Sequence, residues 1–178
     1  MPGGLKLFGH GIGGGLLPVP PPPLLQWTLG ALWSISVICA KQGSYGLQRT
    51  SNGILGSSDT TSTAPFDVTA GQTLFTSFWV KAGVAANGVI GFGYSFYNSA
   101  GVFLSSSFIE TSSFPSDWLQ IIGNITVPNF AATAVPVVRA TGNTTGFWCV
   151  DSVQGTKSGG HWVLSSVKHY HSEYTEYR

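Results

Sequence analysis

Charged residues are scarce in this sequence. Asp, Glu, Lys and Arg make up 8% of its 178 residues, against about 25% in ordinary globular domains. The formal net charge is +1 and no basic cluster occurs, so the electrostatic signature of a nucleic-acid-binding protein is missing. Hydrophobic residues reach 43%, which excludes charge-rich disorder and favours one packed domain with tails.

Catalytic motifs are also lacking. The sequence has no Gly-x-Ser-x-Gly elbow and no Walker loop, and its seven acidic residues show no paired spacing. Acyl transfer, phosphate binding and glycoside hydrolysis each need one of these arrangements. We therefore expect a non-enzymatic protein.

A membrane-spanning helix is not expected either. Residues 24–40 form an uncharged stretch of 17 residues, which is near the short limit of about 17–25 for a membrane helix. Polar Gln26, Thr28 and Ser34 alternate with Trp27 and Leu29, however, and alternation is typical of a strand. Nor does the N-terminus contain the continuous apolar segment of a cleaved leader.

Alternation between apolar and polar residues continues along the chain and predicts an all-β fold. Phe78 should lie in the core, Pro136 should mark an edge strand because proline cannot donate to a ladder, and Ser57 to Thr63 should be a surface loop. The predicted strands are 25–39 (one or two strands), 45–49, 73–82, 89–97, 102–109, 118–127, 134–140 and 147–153.

Several of these segments resemble one known family. The run TAGQTLFTSFWVKAG at 69–83, the aromatic strand ending FYNSAG at 96–101, the WLQIIGNITVP segment at 118–128 and the closing FWCVDSV at 147–153 are similar to strands of carbohydrate-binding modules of families 4 and 9. The resemblance implies a jelly-roll β-sandwich of eight to ten strands over residues 24–156. Residues 1–23 would be an arm, and residues 157–178 an extra C-terminal strand and tail.

The resemblance also implies what the sandwich binds. Sugar recognition uses exposed aromatic faces, although rings at strand spacing more commonly fill the core. The family's closing-strand aspartate, here Asp151, often helps to hold a structural calcium; Gln26, Trp27 and Thr28 stand where the family carries a further acid. The candidate sugar-binding residues are Tyr45, Trp79, Tyr94, Tyr97 and Trp118.

The first 23 residues differ in composition from the rest. Glycines predict a flexible arm, and the prolines at 20–23 an extended polyproline II segment. An apolar arm of this kind indicates attachment to a partner, with a disordered tail as the alternative. The predicted anchoring residues are Leu5, Leu7, Phe8, Ile12, Leu16 and Leu17.

Jelly rolls of the resembling type are frequent in bacteriophage virions. With the low charge and the apolar arm, this favours a virion structural protein, whether a capsid decoration protein, a head fibre or a tail-associated protein. Its partners would be other virion proteins, in a homotrimer, with a host glycan as ligand and no nucleic acid or membrane span. The alternative is a free carbohydrate-binding module that recognises a surface glycan.

Two cysteines and three histidines remain. Cys39 and Cys149 are expected to be buried free thiols, with a disulfide as the alternative if their strands are neighbours. His161, His169 and His171 would share one face of a C-terminal strand. Solvated or interface histidines are the favoured interpretation, since no Cys or carboxylate stands nearby at zinc-ligand spacing.

Overall fold

The computed structural model describes residues 27–62, 64–157 and 162–164. The predicted anchoring arm at 1–23, His161, His169, His171 and most of the predicted C-terminal strand lie outside them. The strands are β1 (Trp27–Thr28), β2 (Trp33–Ser36), β3 (Gly46–Thr50), β4 (Ser57–Ser62), β5 (Phe66–Asp67), β6 (Thr73–Ala82), β7 (Val89–Tyr97), β8 (Phe103–Thr111), β9 (Leu119–Thr126), β10 (Thr133–Thr141), β11 (Phe147–Lys157) and β12 (Trp162–Leu164), with one 3-10 turn at Val37–Cys39.

These strands form two antiparallel sheets packed face to face. The front sheet has the order β1-β4-β10-β7-β8, with β5 also paired to β10. The back sheet has the order β2-β3-β11-β6-β9, with β12 also paired to β11. The all-β fold predicted from alternation and the sandwich implied by the resemblance are confirmed, with twelve described strands where eight to ten were expected. In the described residues no helix is long and apolar enough to cross a membrane.

The core lies between the two sheets and is rich in aromatic rings. Phe78 of β6 is fully buried and meets Phe92 of β7 edge to face at 6.3 Å, so the prediction that Phe78 faces the opposite sheet is confirmed. Tyr94 extends the cluster, 5.6 Å from Phe92. Edge-to-face pairs add about 0.5–1.5 kcal/mol each beyond the burial of their area.

The chain departs from prediction at Ser57–Ser62. This segment was expected to be a surface loop, but it is β4, hydrogen-bonded to β10 on one side and to β1 on the other. A run of Ser and Thr can form a strand when tertiary pairing supplies what local propensity does not.

Pro136 also departs from prediction, because β10 is an interior strand rather than an edge strand. Pro136 lies opposite Tyr94 of β7. On its other side β10 pairs with β5 at residues 133–134 and with β4 from residue 137 onward. The proline therefore occupies the gap between two partner strands, where its missing N–H group leaves no ladder bond unmade.

A buried polar contact fixes β4 against the back sheet. Arg49 of β3 is 4% exposed and donates from Nε to Ser58 Oγ at 2.6 Å, with a further bond to the Thr50 carbonyl. Trp33 Nε1 donates to the same Ser58 hydroxyl at 3.1 Å. Burial lowers the pKa of Arg49. These bonds hold β4, and with it the neighbouring Asp59, in a defined register.

Candidate functional site on the outer face of the front sheet

Two glycines leave the centre of the front sheet's outer face without side chains. Gly91 and Gly93 of β7 alternate with the inward-facing Phe92 and Tyr94. A Cβ at Gly91 would lie 2.7 Å from Glu110 Cγ, and one at Gly93 would lie 2.7 Å from the Phe108 Cα. Glycine is therefore required at position 93, where a Cβ would meet the backbone of β8, whereas at position 91 the Glu110 side chain would have to move.

Phe108 and Arg139 occupy the space beside these glycines. Register places Phe108 opposite Gly93 and Arg139 opposite Gly91, from the two strands that flank β7. The Arg139 guanidinium carbon lies 4.2 Å from the centre of the Phe108 ring. Cations prefer such a position because the face of an aromatic ring is electronegative.

Asp59 holds the guanidinium in this orientation. Arg139 Nε donates to Asp59 Oδ1 and Nη2 donates to Oδ2, each at 2.8 Å. The bond to Asp59 raises the pKa of Arg139; burial partly opposes this shift, and the charges of Asp59 and Glu110 support it. A bidentate fork fixes the plane of the guanidinium, so Arg139 is an oriented cation with Nη1 left without a hydrogen bond in the described chain.

The other end of the same face carries hydroxyls and a second aromatic pair. Ser95 Oγ and Ser106 Oγ are 2.9 Å apart. Tyr97 and Phe103 meet edge to face at 5.8 Å, and Phe103 is 54% exposed. Along β7 and β8 the surface thus runs from charged groups through hydroxyls to aromatic rings. We call this surface, from Glu110 and Arg139 to Tyr97 and Phe103, the front face.

The front face is suited to binding a ligand that has both an apolar face and hydroxyl groups. Aromatic rings offer apolar faces to stack against, and oriented polar groups nearby give direction to hydrogen bonds. Asp59 commits both carboxylate oxygens to Arg139. Asp59 therefore serves to orient Arg139.

The aromatic residues predicted from sequence do not converge on one site. Tyr94 is fully buried in the core, with its hydroxyl 3.3 Å from Thr76 Oγ1 and its pKa raised by burial, so its prediction as a surface stacking residue is wrong. Tyr97 lies on the front face. Trp79 lies on the outer face of the back sheet, Trp118 just before β9, and Tyr45 just before β3.

Lysines cover both tryptophans of this group. Lys41 Nζ lies 3.7 Å from the centre of the Trp79 ring, and Lys81 Nζ lies 5.3 Å from that of Trp118. Lys81 also borders an open cavity of about 540 Å³ at one end of the sandwich, shared with Phe114 and Phe147. This cavity is lined mainly by loop residues 83–86 and by the two phenylalanine rings.

Asp151, the possible calcium ligand, holds a loop through backbone N–H groups. It is fully buried; its Oδ2 accepts the backbone N–H groups of Lys41 at 2.7 Å and Gln42 at 2.8 Å, and its Oδ1 accepts that of Ser152 at 2.6 Å. Calcium needs six to eight oxygen ligands, and the described residues contain no group of three or more His, Cys, Asp or Glu that could hold a metal. The structure thus assigns Asp151 to holding the 41–42 loop.

Desolvation also affects this carboxyl group. Burial raises the pKa of Asp151, and the three backbone N–H groups and the charge of Lys41 oppose that rise. Each of these N–H bonds favours the ionised form, because a carboxylate accepts more strongly than a carboxylic acid. The carboxylate of Asp151 therefore holds the 41–42 loop in place, and the N–H groups of that loop stabilise the charge of the buried carboxylate.

Cys39 and Cys149 form a disulfide. The favoured expectation of free thiols is wrong, because the 3-10 turn lies against β11 and brings the two Cα atoms to 4.9 Å. Both cysteines are fully buried. The bridge fastens the segment before Lys41 to the closing strand, next to the Asp151 contacts.

Sequence reasoning missed the residues at the centre of the front face. Asp59 lies in the segment that was predicted to be a loop, and Arg139 can be placed on an outer surface only once the register of β10 is known. One signal was present: in β7, Gly91 and Gly93 alternate with large aromatic residues. Glycine on one face of a strand often marks a close approach of other groups.

Known proteins share this architecture. No family model matches the chain, and no curated protein does. Among solved structures, the CBM22-1 xylan-binding domain from Paenibacillus barcinonensis Xyn10C is 14% identical, with 81% of this chain and 87% of that one covered and a TM-score of 0.52. The protein is an all-β, two-sheet sandwich like those of carbohydrate-binding modules. Its expected likeness to these modules is confirmed at the level of the fold.

Two further structures give the same result. The CBM22-1–GH10 modules of Clostridium thermocellum Xyn10B, crystallised with xylohexaose, are 17% identical, with 76% of this chain and 26% of that one covered and a TM-score of 0.57. A family 16 carbohydrate-binding module is 11% identical, with coverages of 70% and 85% and a TM-score of 0.51. At such identities the likeness concerns the carbohydrate-binding-module fold alone.

Proposed function

We propose that this carbohydrate-binding-module-like sandwich binds a glycan on its front face and does not transform it. The observation that carries the proposal is the Arg139 guanidinium, held by Asp59 and stacked on Phe108 beside Gly91 and Gly93. Preorganised groups of this kind increase affinity because little side-chain freedom is lost on binding.

The chemistry of the front face fits a sugar chain. A pyranose ring has an apolar face that can stack on Phe108, Tyr97 or Phe103. Its hydroxyls can bond to Glu110, to the Ser95–Ser106 pair and to Nη1 of Arg139, which makes no hydrogen bond within the described residues. Solved structures of the same fold are described as xylan-binding or were crystallised with xylohexaose. Xylan fragments are therefore the first ligands to test.

The absence of catalysis is part of the proposal. A glycosidase needs two carboxyl groups on opposite sides of the scissile bond, about 5–5.5 Å apart for retention or about 6.5–9.5 Å for inversion. Asp59 accepts a hydrogen bond from Arg139 at each of its two oxygens, so neither oxygen is placed to donate a proton to a leaving group. Glu110 alone cannot supply both functions.

We further propose that the sandwich is displayed on a bacteriophage virion, in the capsid or the tail, as a homotrimer. The support comes from the sequence: charged residues are only 8% of the chain, and residues 1–23 combine glycine, proline and six large apolar side chains. The disulfide is consistent with exposure outside the cell, because structural disulfides persist in oxidising surroundings.

A glycan array with the labelled full-length chain tests the binding proposal. We expect a restricted set of neutral or weakly charged glycans to bind, and Phe108→Ala to lose most of that signal because the ring supports both the sugar and Arg139. A control is Phe130→Ala, since Phe130 is 84% exposed and lies in the β9–β10 loop. Binding that is unaffected by Phe108→Ala would place the site elsewhere.

Different measurements test the virion proposal. Mass spectrometry of purified particles should detect the chain at a fixed copy number, and sedimentation at micromolar concentration should show a trimer. A chain that is absent from particles, together with a monomer that binds glycan, would favour a free carbohydrate-binding module.

A further inference from the structure

The outer face of the back sheet carries a small pocket, which is separate from the front face. Phe75 of β6 is 50% exposed and Ile122 of β9 is 72% exposed. Ser77 lies opposite Ile122 in register, and Gln154 lies opposite Ser77 on β11. Strands from the middle and the edge of the back sheet thus bring an aromatic ring, an aliphatic side chain, a hydroxyl and an amide together.

Polar groups in this pocket have unused hydrogen-bonding capacity. In the part of the chain that the structure describes, the side chains of Ser77, Gln154 and Thr156 make no hydrogen bond, and all three line the pocket with Phe75 and Ile122. The cavity of about 160 Å³ would hold about five waters at ~30 Å³ each. It is therefore large enough for one ring-sized group.

The pocket lining is uncharged. Its lining consists of Phe75, Thr76, Ser77, Ile122, Gln154 and Thr156. The charged groups further along the same face are already engaged, since Lys41 lies over Trp79 at 3.7 Å and Asp151 is buried and bonded to three backbone N–H groups. A neutral ligand loses less on entering such a site, because a charged one would leave water without gaining a partner.

We propose that this pocket is a second sugar-binding subsite, which takes one neutral pyranose residue. The apolar face of the ring would lie on Phe75 and Ile122, and its hydroxyls would bond to Gln154, Thr156 and Ser77. The inference takes its ligand class from the proposed function but depends on different residues. Because the front face and the pocket lie on opposite sides of the sandwich, one domain can engage two glycan chains or two segments of one chain.

Backbone and side-chain amide NMR of the full-length protein tests this proposal, with xylohexaose and cellohexaose as probes at up to millimolar concentration. We expect saturable shifts of the Gln154 side-chain amide and of the backbone amides of Ser77 and Ile122. Phe75→Ala should lower the affinity at these signals at least tenfold while leaving front-face signals in place. Phe130→Ala is the control for loss of an exposed phenylalanine and should change neither set.

The two sites can fail independently. Shifts on the front face without shifts at Gln154, Ser77 and Ile122 would overturn the second subsite and leave the proposed function standing. The opposite result is that the unmodified protein shows shifts at the pocket and none on the front face, and that the pocket shifts persist in Arg139→Ala. This result would support the pocket and contradict the front-face proposal. If neither hexasaccharide shifts the pocket signals, or if Phe75→Ala leaves them unchanged, the pocket is not a sugar subsite.

Discussion

Removal of the disulfide should strongly reduce the stability of the sandwich. Cys39 and Cys149 are separated by 110 residues, so the bridge closes most of the described chain into one loop. In the chain-entropy model, a bridge that closes a loop of this length lowers the entropy of the unfolded chain and so raises its free energy by about 4.8 kcal/mol at 25 °C. The double variant Cys39→Ala/Cys149→Ala should therefore lose roughly 3–5 kcal/mol, since engineered and native bridges often deliver somewhat less than the model predicts.

Urea unfolding of the oxidised protein, the reduced protein and the double variant measures this loss. The slope of free energy against urea should be steeper without the bridge, because an unbridged unfolded chain exposes more surface. The thermal midpoint should fall by roughly 10–20 °C. Two alkylatable thiols per chain in protein kept under oxidising conditions, or a loss of less than about 1 kcal/mol, would refute the reasoning.

Three further predictions concern other parts of the chain. Phe78→Ala should cost about 3–5 kcal/mol by urea unfolding, the usual loss for a buried phenylalanine, and a loss under about 1 kcal/mol would contradict its core position. Asp151→Ala should cost about 2–4 kcal/mol, because three backbone N–H groups lose their acceptor; proteolysis should then cut near Lys41 first, and an unchanged cleavage pattern would count against the loop-holding role. Deletion of residues 1–23 should leave the thermal midpoint nearly unchanged and abolish incorporation into particles, whereas normal incorporation would show that the arm is not the anchor.

Alternation was sufficient to predict the bounds of two long strands. The predicted bounds of β6 at 73–82 and β7 at 89–97 coincide with the structure. Both strands present a mainly apolar row to the core, interrupted in β6 by Thr76, and a one-residue error in register would move every one of those side chains to solvent. The alternation of inward and outward residues is therefore regular along β6 and β7, and a regular alternation can be detected in a single sequence.

Tertiary pairing decided the segments that were mispredicted. Neither Ser57–Ser62 nor Pro136 gives a local signal for an interior position, and both are explained only by the strands that flank them. The disulfide likewise depends on the 3-10 turn folding over β11, and 110 residues of separation give no local indication of that contact.

Tertiary pairing also explains why few residues of the proposed site could be predicted from the sequence. Tyr97 was identified, but Arg139, Asp59 and Phe108 come from three strands that are neighbours only through the order β4-β10-β7-β8. Tyr94 was a candidate sugar-binding residue because its aromatic ring suits a sugar-binding surface as well as a core. Alternation puts Tyr94 on the same face as Phe92, but only the packing of that face against the back sheet separates these roles.

The most direct test of the account is a comparison of glycan affinity in Arg139→Ala and Lys81→Ala by isothermal titration calorimetry, with the glycan selected on the array. Both changes remove one surface cation, and neither should lower stability by more than about 1 kcal/mol. The account predicts that Arg139→Ala weakens front-face binding at least tenfold, about 1.4 kcal/mol, while Lys81→Ala binds like the unmodified protein. Equal affinity in all three proteins would contradict the claim that the front face binds the glycan.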